Sequence, residues 1–291
     1  MIKIFKFILI ILLYQSPLHS KSTSFNNFNS KDLSNYFSGI VASENRMNSE
    51  ALKFFNSSKN LLYEYDPFLQ RYVTTLVLEK KIDQAISIIK KNIKNENIDF
   101  FDAYLLLIID RLKEDDIEKA YEYLNTSRKF VNQNRFDAAI FETLNQYLYT
   151  FKEKKFISKK KNFGNLSFIA DTFLRCYLAD PKTEVYFSNL INKSEADYSR
   201  YIYFYLSYLI ENKKFDVANE LAQEINYINS TLLLSQGKSW IESEDFKKFE
   251  SVFSCKNYNH IISEFLFLIS NLYSSQDNYE RSNFYSHLSN Y

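Results

Sequence analysis

Glycine and proline are scarce in this chain, at three of each in 291 residues. Sandwiches, barrels and glycine-rich phosphate loops depend on such punctuation, so its near absence argues against them and for long helices. Gly39, Gly164 and Gly237 lie far apart and leave no cradle for a phosphate. Cysteine is limited to Cys176 and Cys255, and past the first twenty residues histidine is limited to His260 and His287. No metal-ligand spacing arises from that set, and no metal or other cofactor is expected. Neither histidine has a serine, cysteine or acid near it in sequence in a recognisable nucleophile arrangement, so a non-catalytic protein is expected. An excess of charge is lacking too. The 36 basic residues are nearly cancelled by 35 acidic ones, which leaves no broad basic field to hold nucleic acid.

What is present is a foldable composition, 46% hydrophobic and 24% charged, and a repeat. Ala51, Ala85 and Ala120 fall 34 and 35 positions apart, each within an amphipathic segment, and the pattern returns at Ala218. A period of that size is the mark of stacked two-helix units. In the second unit Leu69, Tyr72, Val73, Leu76 and Val77 form one helical stripe. Lys80 and Lys81 make a turn, and Ile82, Ala85, Ile86, Ile89 and Ile93 form the next stripe. Neither stripe can be buried alone, so the pairs must stack on one another. The first unit reads as a helix from Leu33, a turn at Arg46 to Asn48, and a second helix running to Tyr65, closed by Asp66-Pro67. The fold class expected is all-α, an α-solenoid of about seven helical pairs over residues 32–291, irregular between 152 and 194. Its end at Tyr291 brings no polar closing helix. Either the chain is a fragment, or that end docks on a partner or a second copy.

The N-terminus has a different character. Lys3 and Lys6 precede eight apolar residues, Phe7 to Tyr14, and Ser20-Lys21-Ser22 offers a small-x-small site. That is the layout of a secretory signal peptide over residues 1–22, followed by a loose polar leader over 23–31. The protein is therefore expected to be exported, to the periplasm or the inner face of the outer membrane. Export would permit a disulfide, but Cys176 and Cys255 fall in different units, and two buried free thiols are the favoured reading.

Gly39, Ala42, Glu50-Ala51 and Phe55, then Asp83-Gln84-Ala85-Ile86, Ile117-Glu118-Lys119-Ala120 and Phe215-Asp216-Val217-Ala218, resemble the signature of tetratricopeptide repeat proteins. More loosely, the chain resembles exported repeat proteins of alphaproteobacteria. No unit carries tryptophan at that family's first aromatic position, and Val73, Ile108 and Leu206 stand where a small residue is usual. The resemblance implies a concave groove lined by one face of each first helix. Carried over, that face is Tyr36 and Ile40, Gln70 and Thr74, Leu105 and Ile109, Tyr203 and Ser207, Leu234 and Lys238, and Phe267 and Asn271. Such a lining suits an amphipathic helix or extended peptide anchored by a few apolar side chains. The family's carboxylate clamp, which needs Lys and Asn, is not supplied by Tyr36 and Ile40.

The aromatic helix around Tyr201, Phe204 and Tyr208 is expected to be core, although a stacking platform is conceivable for it. Lys154, Lys155, Lys159, Lys160 and Lys161 form a solvated loop whose charge also allows weak contact with anionic lipid. The expected function is a protein- or peptide-binding scaffold of the bacterial cell envelope. Its alternatives are an architectural subunit working through its outer helices and an envelope enzyme acting on peptidoglycan.

Overall fold

The computed structural model describes residues 29–93, 98–131, 135–157, 161–192, 199–228 and 230–291. Residues 1–22, expected to be a signal peptide, and most of the expected leader lie outside the described residues, as do Lys159 and Lys160. Every regular element among the described residues is helical and none is a strand. In order these are α1 (Ser30–Glu44), α2 (Asn48–Ser57), α3 (Asp66–Leu78), α4 (Ile82–Asn92), α5 (Phe101–Lys113), α6 (Ile117–Ser127), α7 (Arg135–Glu153) and α8 (Asn165–Tyr177). There follow α9 (Thr183–Ile191), α10 (Ser199–Glu211), α11 (Phe215–Gln223), α12 (Leu232–Glu242), α13 (Lys247–Val252), α14 (Tyr258–Ser274) and α15 (Tyr279–Ser289).

One device joins most of them in pairs. Arg46, Lys80, Asp115, Ala179, Lys213, Glu244 and Asp277 each adopt a left-handed φ between 52° and 60° just after a helix. The amide of the following residue then donates back across the last turn, as from Met47 to Ala42, Lys81 to Leu76 and Asp116 to Arg111 (2.8–2.9 Å). Lys214 to Leu209, Asp245 to Trp240 and Asn278 to Tyr273 repeat it. This 6→1 closure satisfies an orphan carbonyl at the helix end and reverses the chain. The next helix begins two to four residues later, in places with its own cap: Asp116 accepts from the Lys119 amide at 3.0 Å.

The described residues divide into two compact units, Met1–Leu69 and Gln70–Tyr291. In the first, Gly39 of α1 lets the Phe55 ring of α2 come so close that a Cβ there would lie 2.7 Å from it. Tyr36, Phe55 and Phe68 meet at 5.7–6.0 Å between ring centres and form the core. The second helix stops short of the expected Tyr65. The Ser58 hydroxyl donates back to the Phe54 carbonyl, a 3-10 turn runs over Lys59–Tyr63, and Asp66-Pro67 opens α3.

In the second unit α7 stands apart. Lys154 ends it with φ 53°, but residues 155–157 and 161–164 carry no helix to pair with it. Its long face is taken instead by α14, which runs antiparallel: Phe136 meets Tyr273, Tyr147 meets Phe265 and Phe151 meets Tyr258, all at 5.3–5.6 Å. The last hairpin therefore contacts helices more than a hundred residues upstream. Arg281 forks onto Asp102 (2.9 Å from Nη2 to Oδ1), Tyr258 donates to Asp115, and Tyr291 donates to Asp83. Lys113 lies 3.5 Å from the centre of the Tyr291 ring. In the last hairpin Phe284, Tyr285 and Leu288 are buried, while Leu272 and Tyr279 are exposed. The cysteines, expected to be free, are paired. Docking α14 beside α8 brings Cys176 and Cys255 together in a disulfide, with Cα atoms 5.8 Å apart and both residues buried.

Candidate functional site

Half of the twelve residues expected to line a groove are buried. Tyr36, Leu105, Ile109, Tyr203, Ser207 and Leu234 are buried. Tyr203 packs on Gly237, where a Cβ would fall 2.9 Å from its ring, and burial raises its phenol pKa. The Ser207 hydroxyl donates to the Phe253 carbonyl at 2.6 Å, and Lys238 donates to the Ile225 carbonyl at 2.7 Å. Phe267 is half-buried beneath the Arg200 guanidinium, 4.4 Å away, while Arg200 itself forks onto the buried Glu264. Ile40 and Thr74 are half-buried, and only Gln70 and Asn271 are exposed.

Two clefts border the last hairpin. A polar one of about 420 Å³ is lined by Asp99, Asp102, Asp137, Asn278, Arg281 and the predicted Gln70. Burial opposes the charge of Arg281, but Asp102 and Tyr285 outweigh it and keep the guanidinium protonated. Its forked bonds to Asp102 and its donation to the Tyr285 hydroxyl (3.2 Å) commit the guanidinium to holding α15 on α5. A second cleft of about 390 Å³ has Ile109 and Leu112 on one side and Ile262, Leu266 and Leu288 on the other. Those side chains are themselves buried, so the cleft is a narrow seam.

Hydroxyl, imidazole and carboxylate do meet at Ser254, His260 and Glu211, a set that sequence spacing hid. The wiring is not that of an activated nucleophile. The Ser254 hydroxyl donates to Glu211 at 2.7 Å, and His260 Nδ1 accepts the Ser254 amide at 2.9 Å. These bonds fix the loop in front of α14. No group of three His, Cys, Asp or Glu among the described residues could hold a metal ion. In the lysine-rich segment, Lys154 donates to Tyr177, Lys155 lies 3.8 Å from Glu153, and Lys161 lies 3.6 Å from Glu142.

A broad apolar concavity open to solvent lies between α1 and α2 of the first unit. Phe37 (53% exposed), Val41 (60%), Met47 (46%) and Phe54 (37%) line a groove of about 580 Å³, with Ser34, Ser38 and Glu50 at its rim. Phe37 and Val41 are i and i+4 on α1, so they form one stripe. They sit one position after the expected Tyr36 and Ile40, and a step of one residue turns a helix by about 100°. Large contiguous apolar exposure of this kind marks interaction surfaces. No helix among the described residues is long and apolar enough to cross a membrane. No protein-family model, curated protein or solved structure matches this chain.

Proposed function

We propose that this protein is a non-catalytic binding scaffold of the bacterial cell envelope, exported by its N-terminal signal. In this reading it is an array of tetratricopeptide-like hairpins that holds a protein or peptide partner. The single observation that carries the reading is the exposure of Phe37, Val41, Met47 and Phe54 along one groove of the first hairpin. The buried state of Leu105, Tyr203 and Leu234 moves the expected contact from the middle of the array to its first hairpin. Capture of a partner from envelope extract by the wild type, and its loss with Phe37→Asp and Val41→Asp at unchanged melting temperature, is the expected result. Equal capture by both would reject the groove.

A second reading, an architectural subunit that works through its outer surface, is favoured by Ile228 (91% exposed), ahead of α12, and Leu232 (75%), at its first position. Ile228→Asp would then abolish capture where Val41→Asp does not.

A further inference from the structure

The hairpins carry their own record of what belongs in the α1–α2 groove. Counting back from the left-handed turn residue, Phe37 and Val41 stand nine and five positions before Arg46. In α5 the same register holds Leu106 and Asp110, in α8 Ala170 and Leu174, and in α10 Phe204 and Tyr208. Leu106, Ala170 and Phe204 are all buried, and so is Leu174. In α5 and α10 the second helix of the preceding hairpin covers this face. Asp110 takes Lys90 of α4 at 2.7–2.9 Å, and Tyr208 lies 5.6 Å from Phe187 of α9. At the same register α3 carries the exposed Arg71, α12 the exposed Ser239 and α14 the exposed Leu272. Phe37 and Val41 occupy the positions that α4 and α9 cover on α5 and α10, and they are exposed to solvent.

We propose that the α1–α2 groove is the seat of an amphipathic helix from a partner protein, lying where the second helix of a preceding hairpin would lie. This rests on the scaffold reading and names the chemistry of its partner. A second copy of the chain fits less well. Four exposed side chains fall short of the roughly 1,200 Å² that a stable dimer buries, whereas a helix in a groove needs only a few anchors. Among the described residues Glu50 is the only charged one lining the groove, and its pairing with Lys53 is a loose 3.9 Å between two exposed side chains. The favoured occupant therefore carries a basic residue beside its apolar stripe.

The probe is a fluorescent 18-residue Leu/Lys helix, compared with a Leu/Glu helix of the same apolar face, titrated against the full-length protein. Saturable binding of the Leu/Lys helix is expected, at least tenfold weaker for Val41→Asp and for the milder Val41→Ser/Phe37→Ser pair. Glu50→Lys should reverse the order of the two helices. No saturable binding, binding indifferent to Val41, or an order unchanged by Glu50→Lys would each overturn the proposal. So would a concentration-dependent dimer that Val41→Asp abolishes. Envelope capture that survives Val41→Asp but not Ile228→Asp would overturn the helix seat while leaving a scaffold.

Discussion

Lys213 holds φ at 59° and Glu244 at 55°, conformations that cost an L residue about 1–2 kcal/mol. Natural helix ends place glycine here, yet the three glycines of this chain are spent elsewhere: two on close ring approaches at Phe55 and Tyr203, one at Gly164. The 6→1 bonds at these turns, Lys214 to Leu209 and Asp245 to Trp240, hold the strained residues in place. Replacing either by glycine relieves the backbone, less the entropy that glycine adds to the unfolded chain. Lys213→Gly and Glu244→Gly are each expected to stabilise the protein by about 0.5–1 kcal/mol, read as a rise in urea midpoint. Lys214→Gly is the control: φ there is −91°, and no gain should follow. The turn positions themselves were legible only in part. Lys80 and Arg46 sit where a turn was expected from the break in hydrophobic stripes, but nothing in a lysine or an arginine announces a left-handed backbone.

At the scale of elements, the helices were readable because each apolar stripe has a 3.6-residue period, as in Ile82, Ala85, Ile86 and Ile89, all buried on one face of α4. What the period does not encode is which stripe faces which. The pairing of α7 with α14 rests on three aromatic contacts across more than a hundred residues, beside the contact of α7 with α8 through Phe151 and Tyr177. Cys255, just before α14, meets Cys176, near the end of α8, so that wide sequence separation misled the expectation of free thiols. The bond pins the ends of a 79-residue segment holding α9 to α13. Closing a loop of that length removes unfolded-chain entropy equivalent to about 4 kcal/mol, less any native strain. Reduction, or Cys176→Ser with Cys255→Ser, should lower unfolding stability by about 2–4 kcal/mol. An unchanged urea midpoint, or thiols that titrate in the unreduced denatured protein, would contradict the bond.

At the scale of the whole molecule, the burial of Tyr36 and Tyr203 has a physical reason. A family pattern tells which residues of a first helix face inward in a regular array, but Tyr203 packs on Gly237 in the core and Tyr36 on the rings of Phe55 and Phe68. The face left open is set by which neighbour is present, and Phe37 looks in sequence like any core residue. Whole-molecule stability is the further quantity that the buried polar groups control, through two histidines. Burial, chiefly, lowers the pKa of His260 below its ordinary 6.5, and its Nδ1 must stay unprotonated to accept the Ser254 amide. His287 is lowered too, first by burial and then by the charge of Lys80. The unfolded chain takes up protons near 6.5 while the folded chain resists them until lower pH, so protons favour unfolding in that window. The stabilising contribution is complete above about pH 6.5 and lost as pH falls through the folded-state values. Glu264, one turn along α14, works in the opposite sense, since burial raises its pKa despite Arg200 and makes its charged form the costly one. The histidine effect is therefore read as a difference: between about pH 7.5 and pH 5.5, His260→Asn, whose amide oxygen can still accept the Ser254 amide, should lose less of its urea midpoint than the wild type. Parallel pH profiles for the two proteins would mean that His260 titrates as it does in water and that the loop before α14 does not hold it neutral.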